Sequence, residues 1–236
     1  MNLLKIKKLV HCFFYPNFFL SYINNVCPLF ELKNLFKYTG NLDYLLDIGS
    51  NKGQFLILFN YFYPNAKILS FEPQTKYLNI QKKIIKKNIK FFNICLGNKN
   101  KNLTFNITNK EDSSSLLKPI TFKKSIYKIK RKILVNVKKL DDVINLPKNK
   151  DILIKIDVQG YEKFVLEGAN KNLSKIKYII IELSNKKFYD FQIKNNEMIN
   201  FLKKKNFRLI KYFNKNFLGK KNYQADYLFI NENLEN

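Results

Sequence analysis

The chain has 236 residues and a formal net charge of +25, from 43 Lys and Arg against 18 Asp and Glu. Its length and its 46% apolar content suit one domain with a real core and exclude a largely disordered chain. The charge agrees with RNA or an anionic membrane as partner, but Arg131 and Arg208 are the only arginines and the Lys accompanies abundant Asn, Ile, Phe and Tyr. An A/T-rich genome produces this composition, so the charge identifies no partner.

Cysteine and histidine usage narrows the chemistry. Cys12, Cys27 and Cys95 are odd in number, widely spaced and without a C-x-x-C pair, so we expect no disulfide framework and no metal site. His11 is the only histidine and lies outside every motif, which excludes a familiar Ser-His-Asp or Cys-His mechanism. We therefore expect a reducing, cytoplasmic location.

The first 40 residues combine a basic start with an aromatic-rich segment that Pro16 and Pro28 interrupt. The apolar run is shorter than the roughly 20 residues that span a bilayer, and it lacks the small-residue cleavage site of a signal peptide. We predict an N-terminal helical cap over 1–40 and a second domain over 41–236. Weak contact of the cap with a membrane surface, through Lys and Phe, is an alternative.

A strand, a glycine turn and a helix follow. The apolar run 44–48 leads into Gly49 and Gly53, and a stretch with helical periodicity covers 55–62. Glycine permits positive φ angles and close approach of a ligand, while the first amides of the helix remain unpaired. This pattern predicts a nucleotide-binding loop.

The residues of this loop indicate which nucleotide it binds. A dinucleotide-binding loop has a second glycine where this chain has Asn51, and an acidic residue such as Asp47 would repel a phosphate but suits a cation. S-adenosylmethionine carries a sulfonium and an ammonium and no phosphate. We therefore predict that it is the cofactor and that the loop binds its methionine part through Asp47, Gly49, Asn51 and Gly53.

A second strand, 67–71, ends in Glu72 and Pro73. A carboxylate at the end of a second parallel strand, about 20 residues past the loop, is placed to accept hydrogen bonds from ribose hydroxyls. We predict that Glu72 and Pro73 contact the cofactor. The structural alternative is an ordinary strand, turn and helix with a solvated carboxylate.

A helix is predicted over 77–87 and a third strand over 89–94. The carboxyl ends of neighbouring strands line the ligand crevice of a doubly wound sheet, which places residues 93–97, among them Asn93 and Leu96, beside the adenine, mainly through backbone groups. Alternating residues predict strands over 103–107 and 133–137.

The connection between these two strands, 108–132, is long, polar and basic. Loops of this length in a compact domain are usually functional or mobile, so we predict a lid or an acceptor-binding loop, with a solvated insertion as the alternative. No motif in this segment, or in 1–40, identifies the acceptor.

A second acidic strand end repeats the opening pattern. The strand 151–156 runs into Asp157, a glycine turn and a helix that contains Glu162, and a very apolar strand, 178–183, carries Glu182 near its end. Asp157 is predicted to orient the cofactor's ammonium or to take the acceptor proton, and its structural alternative is a helix N-cap. Glu162 and Glu182 are further catalytic candidates.

The rest of the chain predicts a helix over 197–204 and strands over 208–212 and 224–230. The alternation of strands and helices, closed by two strands with no long helix between them, predicts an α/β sheet with an antiparallel pair at one edge.

Together these segments resemble the FkbM family of S-adenosylmethionine-dependent methyltransferases over about residues 40–230. The matching pieces are LLDIGSNKGQF, FEP, the strand around 89–97, VKKLDDV, LIKIDVQGYEKFVLEGA and YIIIEL. The resemblance implies a Rossmann-like class I fold, with a seven-stranded, mostly parallel sheet, and methylation of hydroxyl oxygens on sugars or natural products. Gln159 departs from the family, which usually has Glu there. If that family glutamate assists catalysis, its role in this chain is weakened or is taken over by Glu162 or Glu182.

Other functions fit the residues less well. A nicotinamide-dependent oxidoreductase would require the second glycine and usually a Tyr-x-x-x-Lys pair or a histidine. A nucleic-acid methyltransferase that modifies base amino groups usually has an Asn/Asp-Pro-Pro-aromatic turn where this chain has Asp157-Val158-Gln159-Gly160. A non-catalytic RNA-binding protein would need no cofactor and would bind with a steep salt dependence.

Overall fold

The structure is a computed structural model that describes residues 18–120, 127–217 and 221–235. In chain order its strands are β1 (Tyr44–Ile48), β2 (Lys67–Phe71), β3 (Ile89–Phe92), β4 (Cys95–Leu96), β5 (Lys101–Thr108), β6 (Ile129–Lys138), β7 (Ile152–Ile156), β8 (Tyr178–Ser184), β9 (Phe207–Phe217) and β10 (Tyr223–Asn231). Its α-helices are α1 (Phe19–Ile23), α2 (Gln54–Phe62), α3 (Thr75–Ile84), α4 (Leu140–Val143), α5 (Glu162–Glu167), α6 (Asn170–Leu173) and α7 (Asn195–Lys203). Short 3-10 helices cover Phe30–Lys37, Glu111–Ser113 and Glu232–Leu234.

Seven strands form one sheet in the order β3-β2-β1-β7-β8-β10-β9. The pairs among β3, β2, β1, β7 and β8 are parallel, and β10 runs antiparallel to both β8 and β9. This arrangement confirms the seven-stranded, mostly parallel α/β fold of the class I methyltransferase type. The antiparallel pair lies at one edge as predicted. The edge strand is β9, and β10 lies between β9 and β8.

The strand that was expected over 89–94 is shorter than predicted. The chain leaves the large sheet after β3 because Asn93 turns back to hydrogen-bond the carbonyl groups of Glu72 and Pro73, at 3.0 and 2.8 Å. The next extended residues form β4, which joins β5 and β6 in a separate three-stranded sheet. The two predicted alternating strands are therefore an antiparallel hairpin outside the main sheet.

Both faces of the large sheet are covered, so its central strands are apolar in every position except near their ends. All five residues of β7 are buried. On one face Leu45, Leu153 and Ile180 belong to a single hydrophobic cluster with residues of α2 and of the N-terminal segment. Polar side chains continue this face toward the carboxyl ends of the strands, where a ligand site is expected.

The part of the predicted N-terminal cap that is described contains α1 and the 3-10 helix Phe30–Lys37. Leu32 and Leu35 are buried in the core, and the ring of Phe36 packs on the rings of Phe55 and Phe62 in α2. Residues 1–17 of the predicted cap lie outside the described residues. Within the described ranges, no helix combines the length and the apolar character needed to cross a membrane.

Candidate active site

A cleft of about 1020 Å³, counted with its open mouth, lies at the carboxyl ends of β1, β2 and β7. The loops after these three strands form its floor, and the small sheet forms one wall through Leu96 and Phe105. The crevice predicted from the doubly wound sheet is therefore present.

The turn after β1 is held against the loop after β7. Gly49 has φ +79°, and a Cβ atom at this position would lie 2.1 Å from the carbonyl oxygen of Asp157. Gly53 has φ +88° and caps α2. Both glycines are therefore required by the local backbone, and the contact at Gly49 brings the two acidic strand ends together.

Asp47 is fully buried in the floor of the cleft, and neither of its carboxylate oxygens has a hydrogen-bond partner among the described residues. Burial raises the pKa of Asp47 to about 6, the nearby Lys155 opposes this rise, and Asp157 adds to it. A buried ionised carboxylate without partners is costly, so this site favours a cationic ligand group.

Lys155 is the cation between the two acidic strand ends. It pairs in register with Asp47 on the neighbouring strand, and its Nζ lies 3.2 Å from Asp157 Oδ2. Burial would lower the pKa of Lys155, but Asp157, Asp47 and Asp226 together raise it above its usual range. Lys155 is not among the site residues predicted from the sequence, although it and Asp47 are each the fourth residue of their strands.

Glu72 joins the loops after β1 and β2. Its Oε2 accepts a hydrogen bond from the backbone N–H of Asn51 at 3.0 Å, and its Oε1 accepts one from that of Gln74 at 2.8 Å. Burial raises the pKa of Glu72 to about 7, although these two hydrogen bonds act in the opposite direction. Each carboxylate oxygen retains acceptor capacity, so Glu72 can still receive hydrogen bonds from ribose hydroxyls.

Several predicted cofactor residues line the cleft, namely Asp47, Gly49, Asn51, Glu72, Pro73, Leu96 and Asp157. Gly53 lies just behind the turn, where its N–H donates to the carbonyl of Ser50 at 2.8 Å. The side-chain amide of Asn93 holds the Glu72–Pro73 turn and is not in the cleft wall, and contact of its backbone with the adenine remains a prediction. Ile94 and Cys95 line the cleft at that end instead.

Asp157 projects from the end of β7, with about a third of its side chain exposed. Its Oδ2 accepts from Lys155 at 3.2 Å, and its Oδ1 accepts from Gln159 Nε2 at 2.8 Å. The following helix is capped by Tyr161, so the alternative reading of Asp157 as the N-cap is wrong. The carboxylate is held by two side chains and faces the cleft.

Gln159 bridges two acidic residues. Its Nε2 also donates to Glu182 Oε2 at 3.1 Å, and its Oε1 accepts from the hydroxyl of Tyr189 at 3.2 Å. Burial, followed by repulsion from Asp157 and Asp226, raises the pKa of Glu182 well above its usual value. An amide at position 159 therefore separates two carboxylates that would otherwise repel each other.

The other two catalytic candidates are set back from the cleft. Glu182 does not line its wall and reaches the site through Gln159. Glu162 is buried beneath the turn, where its Oε1 accepts from the N–H of Gly160 at 2.8 Å and burial raises its pKa to about 7. A catalytic role for either residue remains a prediction. The hydrogen bonds that both residues accept stabilise the loop that carries Asp157.

A family model described as the methyltransferase FkbM domain matches residues 47–209, which is more than half of the chain. The chain belongs to the FkbM methyltransferase family. This finding confirms the family and the S-adenosylmethionine cofactor predicted from the sequence. A search of curated proteins found no match.

Solved structures of other methyltransferases resemble the chain at low identity. M. capricolum TrmK, in complex with S-adenosyl-homocysteine, is 15% identical over 86% of this chain and 68% of its own, with a TM-score of 0.47. Magnesium protoporphyrin IX methyltransferase (ChlM) from Synechocystis PCC 6803, with bound SAM, is 12% identical over 85% and 76%, also at 0.47. A Streptococcus thermophilus rRNA methylase is 9% identical over 86% and 96%, at 0.48. These similarities are too remote to identify the acceptor.

The residues of this FkbM domain fit the family's cofactor. The unpartnered oxygens of Asp47 suit the ammonium of the methionine part, and the oxygens of Glu72 suit the ribose hydroxyls. The absence of a side chain at Gly49 keeps the turn in contact with the loop after β7. S-adenosylmethionine supplies a methyl group that its positive sulfur has already activated.

The segment after β5 contributes to the cleft of the FkbM domain. Its residues Asp112, Ser114 and Leu116 line the cleft, and Ser115 Oγ donates to the carbonyl of Gln159 at 2.7 Å. The hydroxyl of Tyr189 donates to the carbonyl of Ser113 at 2.7 Å. The sequence analysis predicted a lid or acceptor-binding loop over 108–132 but selected no residue in it, and residues 121–126 lie outside the described ranges.

Proposed function

We propose that this methyltransferase transfers the methyl group to a hydroxyl oxygen of a sugar, a glycan or a small natural product, with polysaccharide biosynthesis as its setting. The observation that carries the proposal is the partly exposed carboxylate of Asp157 at the edge of the cofactor cleft. A hydroxyl group can donate a hydrogen bond to that carboxylate while its oxygen faces the cleft. This function agrees with the one implied by the family resemblance.

The protein's task is then mainly alignment. Asp47 and Glu72 would hold the cofactor. Asp157 would orient the acceptor hydroxyl and accept its proton as the oxygen–methyl bond forms and the sulfur–methyl bond breaks, with S-adenosylhomocysteine as the leaving group. Lys155 and Gln159 hold the two oxygens of Asp157 and limit its rotation. A strong base is unnecessary, because the donor is already activated by its positive sulfur.

The charge of the cleft supports a neutral acceptor over nucleic acid. Among the described residues of the wall there are four carboxylates, on Asp47, Glu72, Asp112 and Asp157, and one ammonium, on Lys155. This balance is opposite to the charge of the whole chain. A nucleic-acid phosphate close to the transfer point would be repelled there, because interactions are strong in a partly desolvated cleft.

A methyl-transfer assay tests the proposal. The purified protein is incubated with methyl-labelled S-adenosylmethionine and panels of sugars, glycans and small hydroxylated compounds, with RNA as a parallel panel. We expect label in an ether linkage that resists mild base, and lower label with Asp157→Asn. Label in RNA, with none in any hydroxylated small molecule or glycan, would contradict the proposed acceptor class.

A further inference from the structure

Gln74 presents a buried amide oxygen that the protein leaves without a partner. The residue follows the Glu72–Pro73 turn, its side chain is 6% exposed, and it forms part of the cleft wall. Its Oε1 is inaccessible to solvent and accepts no hydrogen bond from any described residue. Leaving such an acceptor unpaired is unfavourable, so a donor from a ligand is expected at this place.

The position of Gln74 relative to Glu72 indicates which part of a ligand meets it. If Glu72 accepts from the ribose and Asp47 from the ammonium, the base extends past Glu72, away from Asp47. The wall in that direction is largely apolar and comes from Pro73, Ile94 and Leu96, with further side chains of the small sheet. Flat apolar walls suit the faces of a purine ring, and Gln74 adds a polar group at their edge.

We infer that the side-chain amide of Gln74 reads the amino group at position 6 of the cofactor's adenine. The amide places an acceptor beside a donor, which complements that amino group and a neighbouring ring nitrogen. Gln74 therefore determines the base specificity of the cleft. This inference rests on the proposed use of the cleft for S-adenosylmethionine.

A second polar side chain provides a matched control. Asp112 also lines the cleft, but its side chain is 60% exposed, forms a 3.5 Å ion pair with Lys110 and accepts from Ser113 Oγ at 3.1 Å. Its Oδ1 therefore already has two protein partners, and the side chain is open to solvent. If an acidic side chain read the base instead of the amide, Asp112 is the residue that would do so.

The experiment compares two ligands on the full chain by titration calorimetry. One ligand is S-adenosylhomocysteine and the other is its analogue with purine riboside in place of adenosine, which lacks the 6-amino group. The proteins are wild type, Gln74→Met, Gln74→Glu and Asp112→Asn. The backbone N–H that Gln74 donates to Glu72 is unaffected by these substitutions.

We expect wild type to bind S-adenosylhomocysteine about three- to tenfold more tightly than the analogue, the value of one neutral hydrogen bond. Gln74→Met should reduce this ratio to about one, whereas Gln74→Glu keeps an acceptor and should preserve it. Asp112→Asn should leave the ratio unchanged.

Equal affinity of wild type for the two ligands would overturn the inference without reference to any variant. An unchanged ratio in Gln74→Met, or a ratio lost in Asp112→Asn, would overturn it as well. Failure of wild type to bind S-adenosylhomocysteine at all would overturn the proposed function and this inference together, and it is distinguished from the other outcomes by the absence of any binding heat.

Discussion

Asp47 and Asp157 lie near the carboxyl ends of the adjacent strands β1 and β7, yet their carboxylates have different surroundings. Asp47 is fully buried and neither of its oxygens has a partner among the described residues. Asp157 is about one third exposed, and its two oxygens accept hydrogen bonds from Lys155 and Gln159. One carboxylate is therefore left for a ligand, and the other is already held by the protein.

This difference separates two tasks within one cleft. A group that binds a cationic ligand should lack protein partners, because any partner would compete with the ligand for its charge. A group that orients an acceptor should have a fixed position, which its partners provide. Loss of Asp47 is therefore expected to affect binding, and loss of Asp157 is expected to affect turnover.

The largest effect is expected from separating the two carboxylates. Gly49→Ala would place a Cβ atom 2.1 Å from the Asp157 carbonyl oxygen in a residue with φ +79°. We expect the free energy of unfolding to fall by about 4 kcal/mol, from overpacking and backbone strain combined. Urea denaturation followed by circular dichroism measures this change.

Gly40→Ala is the matched control for this substitution. Gly40 has φ +60°, and a Cβ atom there would have nothing within 4 Å, so only the backbone cost of about 1 kcal/mol applies. Equal losses in the two variants would mean that the contact with Asp157 does not constrain the turn.

The next effect concerns Asp47 itself. Asp47→Asn keeps the size of the side chain but removes its charge, so the affinity for S-adenosylhomocysteine, which retains the ammonium, should fall about a hundredfold. Asp157→Asn should change this affinity by less than about threefold. Calorimetry on both variants makes the comparison, and similar losses would remove the distinction between the two strand ends.

A smaller effect is expected from pH. Because burial raises the pKa of Asp47 to about 6, this group is increasingly protonated below that pH and cannot pair with the ammonium. The affinity for S-adenosylhomocysteine should therefore fall by about tenfold per pH unit below pH 6. Asp47→Asn should lose this dependence, and a slope that persists in the variant would assign the titration elsewhere, with Glu72 as the first candidate.

The same shift predicts the stability of the ligand-free protein. An acid whose folded pKa is raised binds more protons when folded, so its contribution to stability is full below about pH 4 and is lost as the pH rises through 6. Thermal melting of Asp47→Asn beside wild type should show a smaller decrease over this interval. An equal decrease would contradict the raised pKa of Asp47.

The smallest effect is expected on turnover. Asp157→Asn should lower kcat about tenfold while the protein still binds cofactor, because the activated donor makes a base helpful but not essential. Labelled methyl transfer measures it once an acceptor is known. Glu162→Gln keeps an acceptor for the Gly160 amide, so a fall in kcat in this variant would assign Glu162 a catalytic role, and an unchanged kcat would leave it as support for the loop that carries Asp157. Normal turnover by Asp157→Asn would leave that residue with a structural role.

The sequence predicts the strand-to-helix turn at the start of the cleft because the determinants of that turn are local. Asp47 and Gly49 belong to one strand-to-helix turn, and the bounds of β1 and β2 agree with the predicted ones. The spacing of the glycines indicates the backbone conformation of the turn, and the acidic residue before them indicates its charge. No tertiary information is required for that step.

The rest of the site depends on contacts between distant segments, which spacing does not report. From the sequence alone, Lys155 is an ordinary strand residue. The register of the sheet in the structure shows that it lies opposite Asp47. The side-chain amide of Asn93 holds the turn after β2, a contact that the spacing of residues does not report. Asp112 lines the cleft together with residues of the small sheet, and the spacing of residues does not indicate this placement.

The register that pairs Asp47 with Lys155 has an evolutionary consequence. A descendant that lost the acid at the first position would retain a buried cation with less compensation, and one that lost the lysine would leave two carboxylates facing each other. Each change therefore selects for a second change on the neighbouring strand. The two positions should be inherited as a unit when this protein diverges.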